Sequence, residues 1–167
     1  ALDLAGAEGV FPTRQYAALF AEAREARLPF TIHAGEAAGP ESIREAIRFG
    51  ASRIGHGVRL REDPLLLEEI HARRIPLEMC PTSNLQTRAV SSLDDYPLRD
   101  YLQKGLRVTV NTDNMTVSQT NLAKEYQLLS LTPHEIHQLL SHSIQAAFLP
   151  ESVKSALQSR LKNPLEK

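Results

Sequence analysis

The chain has 167 residues, of which 42% are hydrophobic and 23% charged, and a formal net charge of -1. That length suits one domain with a sizeable core, and near-neutral charge without a basic run excludes a long-range field for nucleic acid or an anionic membrane. Cys80 is the only cysteine, which rules out an intrachain disulfide; no apolar stretch approaches the ~20 residues of a membrane span and no signal-peptide pattern opens the chain, so the expected setting is a reducing cytoplasm.

The sequence starts at Ala1-Leu2-Asp3-Leu4, without an initiator Met and inside or beside a strand, as expected of a piece of something longer. Five short apolar runs read as strands, over residues 2–5, 30–33, 53–55, 76–79 and 106–110, and their near-continuous apolarity is that of strands covered on both faces. Helix-like segments alternate with them. Residues 11–27 place Tyr16, Leu19, Phe20 and Ala23 on one apolar stripe, which predicts a packing helix without a chemical role. Pro40 and Pro64 mark first helical turns, the latter behind a capping Asp63, while Gly50 and Gly105 mark helix exits. Residues 81–95, rich in Ser, Thr and Asn directly after a strand, read as a long irregular and functional loop. Thr132-Pro133-His134-Glu135 is a capping box with Pro at the first helical position, and residues 132–162 read as two helices divided near Pro150.

The polar residues that end successive strands are Gly6, His33, His56, Ser83 and Asp113, spaced 27, 23, 27 and 30 positions apart. Each interval fits one βα unit, and chemistry that recurs once per unit is the habit of a (β/α)8 TIM-type barrel, whose active site gathers at the carboxyl ends of its strands. A doubly wound sheet would favour a glycine-rich phosphate turn at one crevice, and neither G-x-G-x-x-G nor a Walker sequence occurs. The expected fold is therefore α/β: residues 1–167 form a single partial domain, the C-terminal portion of a barrel with about five βα units, followed by C-terminal helices. Roughly three N-terminal units would be missing, and the bare sheet edges should pair with that missing half or with another copy.

Three clusters carry the chemistry: His33-Ala34-Gly35-Glu36, Gly55-His56-Gly57 and Asn111-Thr112-Asp113-Asn114. Between them they offer what a hydrolytic metal centre needs, namely imidazole and carboxylate ligands, a second imidazole near the bound water, and a carboxyl able to pass a proton. A lone His33 is as readily structural as functional, His56 between two glycines could be a surface turn, and Asn111 or Asp113 could simply cap the next segment. Glu36, a turn beyond its strand, can approach a reacting group as a general acid without being a metal ligand; a carboxylate at Asp113, after an apolar strand, is costly to bury unless it is paired or holds a cation. His71, His134, His137 and His142 fall in helix-like segments and receive no role. Neither the Pro-Cys-x-x-Cys signature of zinc cytidine-type deaminases nor a Gly-x-Ser-x-Gly elbow is present.

In order, HAGE, RIGHG, CPTSN and NTDN, preceded by DLAGAE and FP, resemble the C-terminal half of the adenosine deaminase family within the metal-dependent amidohydrolase superfamily, and the resemblance covers essentially the whole chain. It implies that His33 and Asp113 are zinc ligands, that Glu36 protonates the purine ring nitrogen, and that His56 orients and helps deprotonate the attacking water. It further implies a backbone contact from Gly6 to the purine and places Ser83 beside the pocket. Asn114 stands where many relatives have a second Asp, and its amide can still donate to purine N7. The implied reaction is hydrolysis of adenosine or 2′-deoxyadenosine to the inosine product and ammonia by a zinc-bound hydroxide. The family's remaining ligands, a His-x-His pair from the first barrel strand, have no counterpart here, so the isolated chain is expected to hold zinc weakly and to have little activity. Alternatives are deamination of adenine or aminodeoxyfutalosine, or a non-catalytic scaffold fragment.

Overall fold

The computed structural model describes residues 1–162. Its centre is a five-stranded parallel sheet of β1 (Leu2–Leu4), β2 (Phe30–Ala34), β3 (Arg53–His56), β4 (Leu77–Met79) and β5 (Val108–Val110), whose strands lie side by side in chain order. An unbroken order without reversal separates this arrangement from a doubly wound sheet, which turns back at a switch point. It is a partial TIM barrel.

Register fixes which residues share a face. Leu2 pairs with Phe30, His33 with Gly55, Gly55 with Glu78, and Glu78 with Thr109. With a period of two along each strand, Ile32, Ile54, Leu77 and Val108 face the helices, and all four are fully buried. Thr31, His33, Arg53, Gly55, Glu78 and Thr109 face the inner side. Below His33 that inner face is polar but paired: Arg53 Nε lies 2.8 Å from Glu78 Oε1, and Thr31 donates to Glu78 Oε2. The Arg53 guanidinium also stacks 3.7 Å from the centre of the Phe148 ring, which adds to the ion pair with Glu78, although the geometry at Nε falls short of a hydrogen bond.

The covering helices begin and end where local chemistry directs. After a 3-10 turn at Thr13–Tyr16 comes α1 (Ala17–Glu25), which buries Phe20 and Ala23, with Tyr16 packed against the core, but leaves Leu19 exposed; the contacting stripe is narrower than the predicted one. Pro40 starts α2 (Pro40–Phe49), closed by Gly50 in the left-handed region, and Asp63 caps α3 (Pro64–Arg73) by accepting from the Leu66 N–H. The predicted loop at 81–95 opens instead with a helix, α4 (Pro81–Gln86). Pro81 at the first helical position supplies that start, and only the remainder of the segment is irregular. Next come α5 (Leu98–Gln103), α6 (Met115–Ser118) and α7 (Leu122–Leu128). The tail forms α8 (Pro133–Ala146) and α9 (Glu151–Lys162) on either side of Pro150. No helix among the described residues is long and apolar enough to cross a membrane.

The capping box at the start of α8 is complete: Thr132 Oγ1 accepts from the Glu135 N–H, and Glu135 accepts from the Thr132 N–H at 2.7 Å. This helix lays the fully buried Leu139 toward β5, so its start also steadies the last strand. Thr132→Ala should lower stability by about 1 kcal/mol, read as a reduced urea midpoint with an unchanged m value; an unchanged midpoint would show that the box contributes nothing.

Candidate active site

The site is assembled where β2, β3 and β4 end. Immediately after β2 the chain turns sharply at Gly35, with φ +72°, and a side chain there would run into Ile43 of α2. The turn points the N–H groups of residues 35, 36 and 37 toward a single acceptor, the carboxylate of Glu8, at 2.6, 3.1 and 2.9 Å. Successive backbone N–H groups around a left-handed residue make an anion-binding concavity, and here the anion is a side chain of the same protein. Ser42, in the first turn of α2, donates to the same carboxylate. Burial alone would raise the Glu8 pKa, but His33, Ser42 and the Gly35 and Glu36 amides outweigh it and bring it down to about 2.

His33 stands between two carboxylates, with Nε2 at 3.6 Å from Glu8 Oε2 and 3.4 Å from Glu36 Oε2. Burial opposes a charge on its ring, yet Glu36 and Glu8 together raise its pKa to about 9. His56 behaves oppositely. Its burial outweighs the attraction of Glu36 and leaves its pKa below the usual histidine value, although its ring centre is only 4.3 Å from that of His33. For Glu36 itself, burial raises the pKa, but the bond to His33, the charge of His56 and the bond to Thr87 lower it overall.

His56 reaches this position through its backbone. It pairs with Ala34, and strict alternation would direct its side chain toward the helices along with Ile54. At φ +63° it adopts the left-handed conformation instead, followed by Gly57 at +67°, and its Nδ1 comes to 3.3 Å from Glu36 Oε1. Asp113 is left-handed as well, at φ +53°. Several helix-terminal residues share that conformation, but a non-glycine residue held there just beyond a strand end is the kind of strain that clusters at functional sites.

The remaining nominated residues fall around this group. Gly6 and His33 line one cavity of about 240 Å³ with Glu8, Phe11 and Tyr16. Ser83 is buried and donates to Asp113 Oδ2 at 2.7 Å. Asp113 itself is exposed among the described residues. Asn114 caps α6: its Oδ1 accepts from the Thr116 and Val117 N–H groups at 3.1 and 3.0 Å, leaving the NH2 end uncommitted. His134 and His137 are exposed on α8, in keeping with the absence of any assigned role.

Potential ligand atoms of His33, Glu36 and His56 all lie within 4.8 Å of one another. Asp113 is outside that group. Imidazole nitrogens and carboxylate oxygens are a donor set that suits zinc, and the carboxylates that favour a proton on His33 equally favour a dication in its place.

Three contributors escaped the sequence reading. Glu8 belongs to DLAGAE, yet nothing in its spacing marks it as an internal anion. Asn84, fully buried, donates to Glu36 Oε1 at 2.6 Å and lies 2.9 Å from His56 Nδ1. Thr87 donates to the same Glu36 oxygen at 2.9 Å. For the latter two the only available signal was their place within or just after CPTSN.

Residues 1–164 match the family described as "Adenosine deaminase". A curated adenosine deaminase of Haemophilus ducreyi is 54% identical over 161 residues, covering 94% of this chain and 47% of that protein. One of Yersinia pseudotuberculosis is 45% identical over 166 residues, covering 96% of this chain and 50% of that protein. Among solved structures, the adenine deaminase of Arthrobacter aurescens superposes with a TM-score of 0.92 at 30% identity, covering 99% of this chain and 52% of that one. The chain thus spans about half the length of the curated relatives it matches.

Because the Glu8 pKa is depressed on folding, its contribution is fully present above the ordinary value of 4.5 and is lost as pH falls toward about 2. Glu8→Gln should therefore be less stable than wild type by on the order of 3 kcal/mol near neutral pH, with the gap narrowing as pH falls below 4.5. Urea unfolding at a series of pH values measures this, and a gap independent of pH would remove the charge of Glu8 from the account.

Proposed function

This chain belongs to the adenosine deaminase family, and from that premise we propose that residues 1–167 are the C-terminal half of a (β/α)8 barrel that hydrolyses adenosine and 2′-deoxyadenosine to inosine and 2′-deoxyinosine. The observation that carries the reading is the setting of Glu36. One of its oxygens accepts from both Asn84 and Thr87, while the other faces His33. A carboxyl held this way presents a single oxygen for proton transfer, in a fixed direction, beside two imidazoles.

In this reading His33 and Asp113 hold a zinc ion, with further ligands supplied by strands outside residues 1–167. When bound, the ion lowers the pKa of a water and so supplies hydroxide at neutral pH. His56 lies beside Glu36 and orients the attacking water toward C6 of the purine. Glu36, held as a carboxylate by its surroundings, takes up on Oε2 the proton that the water releases and passes it to N1, which quenches the charge that builds on the ring as C6 becomes tetrahedral. The proton of the new 6-hydroxyl then passes to the 6-amino group, the C6 carbonyl forms as the C–N bond breaks, and ammonia leaves: nucleoside and water in, deaminated nucleoside and ammonia out. Gly6 contributes a backbone contact to the purine, the free NH2 of Asn114 donates to N7, and Ser83 steadies Asp113. The edges of β1 and β5 pair with the rest of the barrel or, failing that, with another copy. The setting is a reducing cytoplasm, which suits the free, buried Cys80.

Deamination of adenine is a second reading, favoured by the likeness to the Arthrobacter aurescens structure. A panel of adenosine, 2′-deoxyadenosine, adenine and aminodeoxyfutalosine decides between them, since faster turnover of adenine than of adenosine would overturn the nucleoside reading.

In the complete enzyme Glu36→Gln should lower kcat by about 100-fold or more, measured as the conversion of adenosine to inosine; an unchanged rate would exclude Glu36 from proton transfer. In this reading residues 1–167 supply only two of the zinc ligands, His33 and Asp113, where catalytic zinc usually has three protein ligands. After dialysis they should retain well under one zinc per chain and turn over slowly or not at all. Stoichiometric zinc with full turnover would contradict the half-barrel proposal.

A further inference from the structure

Beyond its bond to Glu36, Asn84 commits all of its remaining hydrogen-bonding capacity around the site. Its Oδ1 accepts from the Cys80 backbone N–H at 3.3 Å and from Tyr96 Oη at 2.9 Å. Its Nδ2 faces Glu36 Oε1 at 2.6 Å and His56 Nδ1 at 2.9 Å. Asn84 is completely buried and Tyr96 nearly so, so water cannot substitute for these partners. Amide orientation is usually ambiguous, because the oxygen and nitrogen ends look alike. Here the Cys80 N–H settles it. A backbone amide can only donate, so the end that meets it is the oxygen, and the NH2 end must face the carboxylate and the ring.

Two consequences follow from hydrogen-bond inventory alone. An NH2 group only donates, so His56 Nδ1 accepts and carries no hydrogen; a neutral imidazole with a bare Nδ1 bears its hydrogen on Nε2. Likewise, Glu36 Oε1 accepts from both Asn84 and Thr87 and is occupied, leaving Oε2 as the oxygen that exchanges a proton. One amide thereby fixes the tautomer of one reacting residue and selects the reactive atom of the other.

We propose that Asn84 is a positioning residue for the deamination. Anchored by Cys80 and Tyr96, it holds His56 as an Nε2–H donor that orients the attacking water and does not take its proton, and it holds Glu36 with Oε2 as the proton-carrying oxygen. The inference rests on the deaminase reading for its chemistry, while the tautomer it assigns holds independently of any turnover.

The test uses the complete enzyme. Ring nitrogen NMR of His56 should show Nδ1 unprotonated and Nε2 protonated in the wild type; the reverse pattern would overturn the proposal whatever the enzyme's substrate. Asn84→Asp keeps the shape and the acceptor for Cys80 and Tyr96 but replaces the donor with a second carboxylate. It should move the ring hydrogen to Nδ1 and lower kcat by about 100-fold or more with KM within threefold; a kcat within threefold of wild type in a folded variant would overturn the proposal. Should that variant fail to fold, Tyr96→Phe loosens the anchor without touching either reacting residue. It should lower kcat about three- to tenfold at unchanged KM, and an unchanged kcat would reduce Asn84 to a packing residue. A failed Glu36→Gln test alongside the assigned tautomer would count against the deaminase reading alone.

Discussion

Glu8 crosses from the end of β1 to the turn after β2 and binds three consecutive backbone N–H groups there. Its carboxylate also meets Ser42 at the start of α2 and the ring of His33. One buried charge thereby ties together two adjacent strand ends, the first helical turn behind them and a candidate metal ligand. Left unsatisfied, the buried amides of Gly35 and Glu36 would each cost about 1–3 kcal/mol, so the turn that carries Glu36 depends on a residue almost thirty positions earlier. Gly35 is the geometric counterpart, since the turn requires its left-handed conformation and leaves no room for a Cβ beside Ile43.

That clamp also accounts for the contrast between two neighbouring histidines. His33 lies between Glu8 and Glu36, and its environment favours positive charge. His56 is buried more deeply, faces only one of the two carboxylates at close range, and receives an amide hydrogen from Asn84, so its environment favours the neutral ring. One position suits a cation and the other a neutral donor, 4.3 Å apart between ring centres. Such divergence between adjacent titratable groups is how a site assigns separate roles to similar side chains.

Much of this was legible in the sequence, for reasons that can be named. The strands are apolar and bounded by turn residues, so all five appear where expected within a residue or two. The capping signals at Asp63, Pro40, Pro64 and Thr132 are local chemistry and correspond to observed helix starts. Pro81 carries the same signal, but the Ser, Thr and Asn residues after it are those of a loop and mask the helix start. Leu19 lies at the edge of the apolar stripe and stays exposed, because periodicity shows a helix's apolar side but packing sets how wide a stripe is covered. The roles of Glu8 and Asn84 could not be read at all: each depends on contacts across 27 or more positions, and neither residue type announces whether its partner is solvent, backbone or a reacting group.

The proposed site divides its labour: His33 and Asp113 hold the metal, Glu36 carries the proton, and His56 directs the water. The close grouping of His33, Glu36 and His56 makes that division worth direct examination, because those three atoms alone would suit a different ligand set. Anomalous diffraction at the zinc edge from crystals of the complete enzyme locates the ion. The account predicts one zinc about 2 Å from His33 and from the Asp113 carboxylate, with Glu36 unligated and free to meet the purine. Zinc bonded to Glu36, with Asp113 remote from it, would contradict the account.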